Sequence, residues 1–174
     1  MKVPPTLIFL VFLILISFTA CEKNSDEVTG VVEIYLLEEF ETVGEGAGID
    51  AASAVTKPKP LVKYDDLRKY NAEEYFFKVT DDARETIENM PQSVLGIAFA
   101  VTADDELIYT GYFVPLYSSA SVQWIVIDPL FWRLDNRMYV ELGYPGLIEG
   151  SVIPDHRNDP RILDIFRRDG KLEE

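Results

Sequence analysis

The chain has 174 residues, with 30 acidic and 16 basic side chains and a formal net charge of −14. This acidic balance argues against nucleic acid as a partner, because phosphate backbones are bound through basic patches. It also argues against adsorption of the folded part to anionic lipid headgroups. The length suits one domain, and nine tyrosines, ten phenylalanines and two tryptophans are enough to fill a core.

The first 20 residues have the pattern of a secretory signal. Lys2 supplies a positive charge, and an apolar run follows from Thr6 to Ile16. This run is too short for a membrane-spanning helix but suits the apolar part of a signal peptide. We therefore expect residues 1–20 to be a lipoprotein-type signal that is removed.

Cys21 follows this signal and is the only cysteine of the chain. The sequence Phe18-Thr19-Ala20-Cys21 resembles the lipobox of bacterial lipoproteins, and departs from it at Phe18, where leucine is commonest. The resemblance implies that diacylglycerol is attached to the Cys21 thiol. Acyl chains that contribute about 0.8 kcal/mol per buried methylene would anchor the chain firmly. The alternatives are an ordinary cleaved signal or an uncleaved anchor, with Cys21 incidental.

The polar residues 21–30 are predicted to form an acidic tether between the lipid and the folded domain. The whole chain resembles the small lipoproteins of Gram-negative bacteria. That resemblance implies a place in the cell envelope, at the outer membrane, in either its periplasmic or its surface leaflet. The membrane would then be a partner through the lipid on Cys21.

Residues 31–174 are predicted to form a single α+β domain. A strand is predicted over 31–37, where apolar residues alternate. Residues 41–60 lose this periodicity and are rich in glycine, alanine and proline, which predicts a mobile loop. A short helical turn is predicted over 65–70 and a strand over 74–79.

A helix is predicted over 80–90, with Thr80 as its N-cap. Its residues Ala83, Ile87 and Met90 form one apolar stripe. A second helix is predicted over 160–169, with Asp159 as its cap.

Between the helices, strands are predicted over 95–101, 107–114, 122–127 and 138–142. The first two are joined by a tight turn at 103–106. One face of the first carries only glycine and alanine, which predicts a helix packed closely on that side. Together the elements predict an antiparallel-rich sheet of five or six strands with two helices.

Residues 75–115 resemble part of the periplasmic head module of the SecD translocase subunit. The resemblance is carried by Phe77-Lys78-Val79-Thr80-Asp81-Asp82-Ala83, as a strand and helix start, and by the hairpin that runs from Gly96 to Gly111. It implies a ferredoxin-like split β-α-β core that serves as a protein-contact module. Activity does not follow from a fold alone.

The strongest catalytic candidate is the turn that holds the only histidine. His156 with Asp155 and Asp159 could form an acid–base or metal site. The interpretation we favour is an exposed turn in which Asp159 caps the last helix. No Gly-x-Ser-x-Gly motif supplies a nucleophile for a serine hydrolase.

Acidic clusters at Asp81-Asp82 and Asp104-Asp105-Glu106 could bind calcium, but neither has the spacing of a calcium-binding loop. Helix capping and turn formation explain them, so the sequence predicts no metal and no cofactor. An aromatic group could form a binding platform, although core packing is the interpretation we favour. This group consists of Tyr109, Tyr112, Phe113, Tyr117 and Trp124.

Phe131 and Trp132 lie in a connection rather than within a strand. Exposed aromatic pairs are frequent at protein interfaces, so these two residues are the candidate contact for a protein or glycan partner. The sequence thus predicts a lipid-anchored, non-enzymatic binding or accessory module of the envelope. One alternative is an envelope hydrolase that uses His156 with Asp155 or Asp159, and another is a structural or surface-interaction lipoprotein such as an adhesin component.

Overall fold

The computed structural model describes residues 30–43, 47–130 and 135–174. The predicted signal peptide, Cys21, the tether up to residue 29 and the pair Phe131 and Trp132 lie outside these described residues. Within the described ranges, neither helix is long and apolar enough to span a membrane.

Two β-sheets and two α-helices make up the fold. The larger sheet has the spatial order β2-β1-β5-β6-β7-β9, with β1 (Val32–Glu39), β2 (Val55–Thr56), β5 (Ile97–Ala103), β6 (Glu106–Phe113), β7 (Val122–Ile127) and β9 (Glu141–Tyr144). The smaller sheet has the order β10-β3-β4-β8, with β3 (Leu67–Asn71), β4 (Phe76–Val79), β8 (Arg137–Tyr139) and β10 (Leu172–Glu173). The helices are α1 (Asp81–Glu88) and α2 (Pro160–Arg168).

The α+β class predicted from the sequence is confirmed. The larger sheet has the predicted number of strands, but the sequence did not predict the second sheet. Both sheets are mixed, because β6 pairs with β7 in parallel and β3 pairs with β10 in parallel. The smaller sheet was missed because two of its four strands have only two or three residues, which is too short for a periodic pattern.

The strand predicted over 138–142 is divided between the two sheets. Met138 pairs with Phe77 in the smaller sheet, whereas Leu142 pairs with Ile125 in the larger one. Val140, buried between them, is where the chain crosses over. One apolar run therefore supplies an edge strand to each sheet.

The ferredoxin-like core implied by the SecD resemblance is not formed. A split β-α-β unit needs both of its strands in one sheet. Here α1 connects β4 of the smaller sheet to β5 of the larger sheet. The strand and helix start, the helix and the hairpin are each present, but they are arranged differently in space.

Both helices begin and end close to where the sequence predicts. The Thr80 hydroxyl accepts a hydrogen bond from the Ala83 amide at 3.2 Å, and Asp159 caps α2. Ala83 and Ile87 are buried, as the apolar stripe of α1 requires. The turn predicted over 65–70 is shorter: a 3-10 helix at Tyr64–Asp66 leads directly into β3.

The main core lies on one face of the larger sheet, where it packs against both helices and the smaller sheet. Phe99 of β5, Phe77 of β4 and Phe166 of α2 are buried in it. The opposite face of the larger sheet has its own smaller core.

The prediction of a helix against the small residues of β5 is wrong. Ala98 and Ala100 belong to the smaller core, together with Leu37, Tyr112 and Val126. The large side chains of the neighbouring strands cover the alanines, whereas the buried residues of α1 and α2 lie in the main core.

The segment predicted as a loop over 41–60 contains the short strand β2. Thr56 pairs with Leu37 of β1, and the Lys57 amide donates to the Leu36 carbonyl at 2.9 Å. The chain then leaves β1 and returns at Val62, whose amide and carbonyl both bond Ile34. Residues 58–60 therefore connect two segments that both pair with β1.

Candidate functional site

Two clefts contain the side chains with functional potential. The first, which we call the His156 cleft, has a volume of about 250 Å³ and lies at the start of α2. It is lined by Tyr75, Asp155, His156, Asn158, Asp159 and Pro160. The structure thus brings all three residues of the predicted acid–base candidate into one concave site.

The two carboxylates of the His156 cleft are each bound by an arginine two residues further along the chain. Asp155 accepts hydrogen bonds from Nε and Nη2 of Arg157 at 2.9 and 2.7 Å, and from the Arg157 amide at 3.1 Å. Asp159 accepts bonds from Nε and Nη2 of Arg161, both at 2.9 Å, and from the Arg161 amide at 3.0 Å. The same Asp-x-Arg arrangement therefore occurs twice, with His156 between the two aspartates.

These pairings keep both aspartates ionised. Hydrogen bonds from the Arg157 side chain lower the pKa of Asp155, and hydrogen bonds from Arg161 lower the pKa of Asp159. A carboxylate with a lowered pKa that already accepts a bidentate guanidinium is a weak general base. The geometry thus gives both groups a structural role.

Arg157, the partner of Asp155, is only 8% exposed. Its Nη1 donates to the Val140 carbonyl at 2.9 Å, and its guanidinium carbon lies 3.7 Å from the centre of the Tyr75 ring. The hydroxyl of Tyr70 donates to the Arg157 carbonyl at 2.8 Å. These contacts join the turn at 155–159 to both sheets, because Tyr70 belongs to β3 of the smaller sheet and Val140 lies where the chain crosses to the larger one.

His156 is exposed at the edge of this cleft. Its imidazole makes no hydrogen bond to any side chain of the described residues, including Asp155 and Asp159. An acid–base dyad needs the imidazole to be oriented by a partner. The three residues are neighbours, but they are not joined as a catalytic unit.

The described ranges contain no group of three or more histidine, cysteine, aspartate or glutamate side chains that could hold a metal. Of the acidic clusters considered for calcium, Asp81 lies in the first turn of α1 and accepts a bond from Asn136 at 2.7 Å. Asp104 and Asp105 form the turn of the β5–β6 hairpin with positive φ angles of 53° and 62°. Helix and turn formation account for their positions.

The second cleft, which we call the Tyr35 cleft, is larger, at about 410 Å³. It lies on the face of the larger sheet opposite the main core, between the 54–58 segment and the β5–β6 turn. The residues that give it its chemistry are Tyr35, Thr56, Lys57, Thr102, Asp105 and Leu107. The sequence gives no local signal for this site, because its lining comes from four strands and the loops beside them.

Tyr35 is the aromatic residue of this cleft. Its hydroxyl donates to the Glu33 carboxylate at 2.6 Å. This hydrogen bond, together with burial, raises the pKa of Tyr35 to about 12. The bond holds the ring in one orientation on the sheet.

Lys57 and Asp105 supply opposite charges to the lining of the Tyr35 cleft. Neither side chain forms an ion pair with another residue of the part of the chain that is described. Both are exposed. In this respect the cleft differs from the His156 cleft, where guanidinium groups bind the carboxylates.

The aromatic residues considered as a binding platform do not share one surface. Tyr109 and Phe113 are buried in the main core, whereas Tyr112 and Trp124 belong to the smaller core on the opposite face. Only Tyr117 is well exposed, at 58%. Packing is thus the main role of this group.

The functional residues that sequence reasoning missed are Arg157, Tyr75 and Tyr35. A usable signal existed for Arg157: the pattern Asp-x-Arg occurs at 155–157 and again at 159–161. The candidate contact pair Phe131 and Trp132, like Cys21, lies outside the described residues.

No protein-family model, no curated protein and no solved structure matches this chain.

Proposed function

We propose that this protein is a binding module of the bacterial cell envelope, held at the outer membrane by lipid on Cys21. The observation that carries the binding role is the Tyr35 cleft. A concave site of about 410 Å³ is in the range of small-ligand sites. It presents an ammonium and a carboxylate group that the rest of the described protein does not neutralise.

The proposal of a non-enzymatic role is supported by the His156 cleft. General acid–base catalysis needs converging groups whose pKa values suit proton transfer. Asp155 and Asp159 are instead bound by arginines, and His156 lacks an orienting partner. A binding role needs no such group.

The anchoring is supported by the sequence alone: an apolar leader that ends in Thr19-Ala20-Cys21. Wild-type and Cys21→Ser proteins should be expressed in cells fed a labelled fatty acid, and membrane and soluble fractions compared. We expect label and membrane association in the wild type and loss of both in the variant. A Cys21→Ser protein that stays in the membrane fraction, with no label in the wild type, would contradict lipidation.

Phe131 and Trp132 remain the proposed contact for a protein partner. The double variant Phe131→Ala with Trp132→Ala should weaken partner capture without affecting cooperative unfolding. Tyr117→Ala is the matched control, because it removes an exposed aromatic ring elsewhere. Equal capture by the double variant and the wild type would remove the pair from the proposal.

A second candidate function is an envelope hydrolase that uses His156 with Asp155 or Asp159. The observation in its favour is that all three residues line one cleft. Purified protein should be tested on a panel of ester, amide and glycoside substrates, with His156→Ala beside it. Turnover that disappears in His156→Ala would establish the hydrolase and replace the binding module as the main function.

A further inference from the structure

We propose that the Tyr35 cleft binds a neutral oligosaccharide. This inference rests on the proposed binding function and names the chemical class of its ligand. It concerns a site separate from the His156 cleft.

The first step is the floor of the cleft, which three adjacent strands build. Tyr35 of β1 stands opposite Ala100 of β5, and Thr102 of β5 stands opposite Leu107 of β6. Ala100 itself is buried in the smaller core, so Tyr35, Thr102 and Leu107 are the sheet residues that line the cleft. The floor therefore offers an aromatic ring and an aliphatic side chain on a rigid sheet.

The second step is the orientation of the ring. Its hydroxyl is bound to Glu33 at 2.6 Å, a distance typical of a strong bond to an ionised acceptor. The ring is thus fixed before any ligand binds, which lowers the entropy lost on binding. A fixed aromatic surface suits the apolar C–H face of a sugar ring.

The third step is the set of polar groups on the walls. The Thr56 hydroxyl can donate and accept, the Lys57 ammonium only donates and the Asp105 carboxylate only accepts. Thr102 is buried, and its hydroxyl donates to the Glu33 carbonyl at 3.5 Å. Sugar hydroxyls also donate and accept around the edge of the ring. Mixed donors and acceptors beside an aromatic surface therefore match a carbohydrate better than they match an apolar ligand, which would leave these groups desolvated and unpaired.

The fourth step is charge, which selects a neutral sugar over an acidic one. The cleft has one ammonium, from Lys57, against the carboxylates of Asp105 and of Glu33 beside it. The chain as a whole carries a net charge of −14. An acidic sugar would meet repulsion from both sources.

The test uses the full acylated protein, purified in a detergent without a sugar headgroup. Isothermal titration calorimetry should compare maltotriose and chitotriose, which are neutral, with trigalacturonic acid and with the zwitterionic dipeptide alanyl-alanine. We expect binding of at least one neutral trisaccharide, and weaker or no binding of the acidic sugar and the dipeptide.

Variants locate the binding. Tyr35→Ala should weaken affinity by at least about tenfold, because the aromatic surface is lost. Tyr35→Phe keeps the ring and should stay within about threefold of the wild type. Tyr117→Ala, an exposed ring outside the cleft, should leave affinity unchanged. Circular dichroism of each variant checks that the fold is intact.

The outcomes are decisive in either direction. If neither neutral sugar binds, if the dipeptide or the acidic sugar binds more tightly, or if Tyr117→Ala weakens binding as much as Tyr35→Ala, the proposal is overturned. A failure of the sugar-binding proposal can be distinguished from a failure of the proposed binding function. The capture assay with the Phe131 and Trp132 variant and the fractionation of Cys21→Ser do not use the Tyr35 cleft.

Discussion

The His156 cleft and the Tyr35 cleft are both lined by charged side chains, but the charges are used differently. In the first, Asp155 and Asp159 are each held by a bidentate arginine. In the second, Lys57 and Asp105 form no ion pair within the described residues. Charges that are paired and partly buried fix the chain in place. Unpaired charges beside a rigid aromatic ring remain available to a ligand.

This contrast reverses the expectation from the sequence. The turn that contains the only histidine attracts attention because of its residue types, yet most of its polar groups are bound within the protein. The open cleft on the sheet contains no residue that is unusual in sequence. Stability measurements can test the contrast directly, because a structural charge should affect unfolding and a ligand-binding charge should not.

The largest effect should come from Arg157→Ala. The change removes the bonds to Asp155 and to the Val140 carbonyl, and the stacking on Tyr75. The Asp155 side chain is 38% exposed, so the main loss is the buried guanidinium itself, whose removal leaves the Val140 carbonyl without its donor. We expect about 3 kcal/mol of lost unfolding free energy, measured by urea denaturation.

Arg161→Ala is the matched control in the second, more exposed Asp-x-Arg unit and should cost less than about 1 kcal/mol. Equal effects would show that burial of Arg157 is unimportant.

Tyr70→Phe should have a smaller effect. The buried Tyr70 hydroxyl lies 2.8 Å from the Arg157 carbonyl oxygen and 2.9 Å from Asn158 Oδ1, and its single hydrogen is shared between these two acceptors. Removing this donor leaves the buried acceptors without it, for an expected loss of about 1–1.5 kcal/mol. Tyr117→Phe removes an exposed hydroxyl and serves as the control. A Tyr70→Phe protein as stable as the wild type would mean that the hydroxyl does not hold the turn.

The two helices and the β5–β6 hairpin could be predicted because their signals are local. Thr80 and Asp159 are recognisable caps, and two aspartates mark the hairpin turn. The division into two sheets could not be predicted, because it depends on where the chain crosses at Val140. The strand β10 was missed as well: it has two residues and pairs with β3, about a hundred positions earlier.

The candidate site was predicted in part for the same reason. His156, Asp155 and Asp159 are close in sequence and remain close in the fold. Which groups they bind could not be predicted from residue type alone. The Tyr35 cleft needs residues of β1, β5 and β6 and the 54–58 segment, so only the tertiary structure reveals it.

Acid should destabilise the His156 region. Hydrogen bonds from the arginines lower the pKa of Asp155 and of Asp159 below the ordinary value of 3.8. Because each pKa is lower in the folded state, the unfolded state binds more protons in acid. The stability that these groups contribute is therefore fully present above the pKa of the unfolded state. It is lost as the pH falls through the pKa of the folded state. The wild type should therefore lose unfolding free energy as the pH falls below about 4, the ordinary pKa of an aspartate.

Asp159→Asn isolates one of these groups. Asparagine keeps the helix cap but cannot form the ion pair with Arg161. The variant should be less stable than the wild type by up to about 1 kcal/mol at neutral pH. The difference should disappear at acid pH, where Asp159 is protonated. A difference that stays constant across urea titrations from neutral to acid pH would contradict the charge-based explanation.

The smallest effects are expected in the Tyr35 cleft, and they complete the comparison. Lys57→Ala removes an exposed ammonium that has no ion-pair partner among the described residues. Asp105→Asn removes a negative charge, and asparagine tolerates the positive φ of 62° at this position. Each change should alter the unfolding free energy by less than about 0.5 kcal/mol. Asp155→Asn, measured by the same urea titration, should destabilise more than either because its carboxylate accepts the buried guanidinium of Arg157. Should Lys57→Ala or Asp105→Asn prove as destabilising as Asp155→Asn, the charges of the Tyr35 cleft would be structural, and the contrast between the two clefts would be lost.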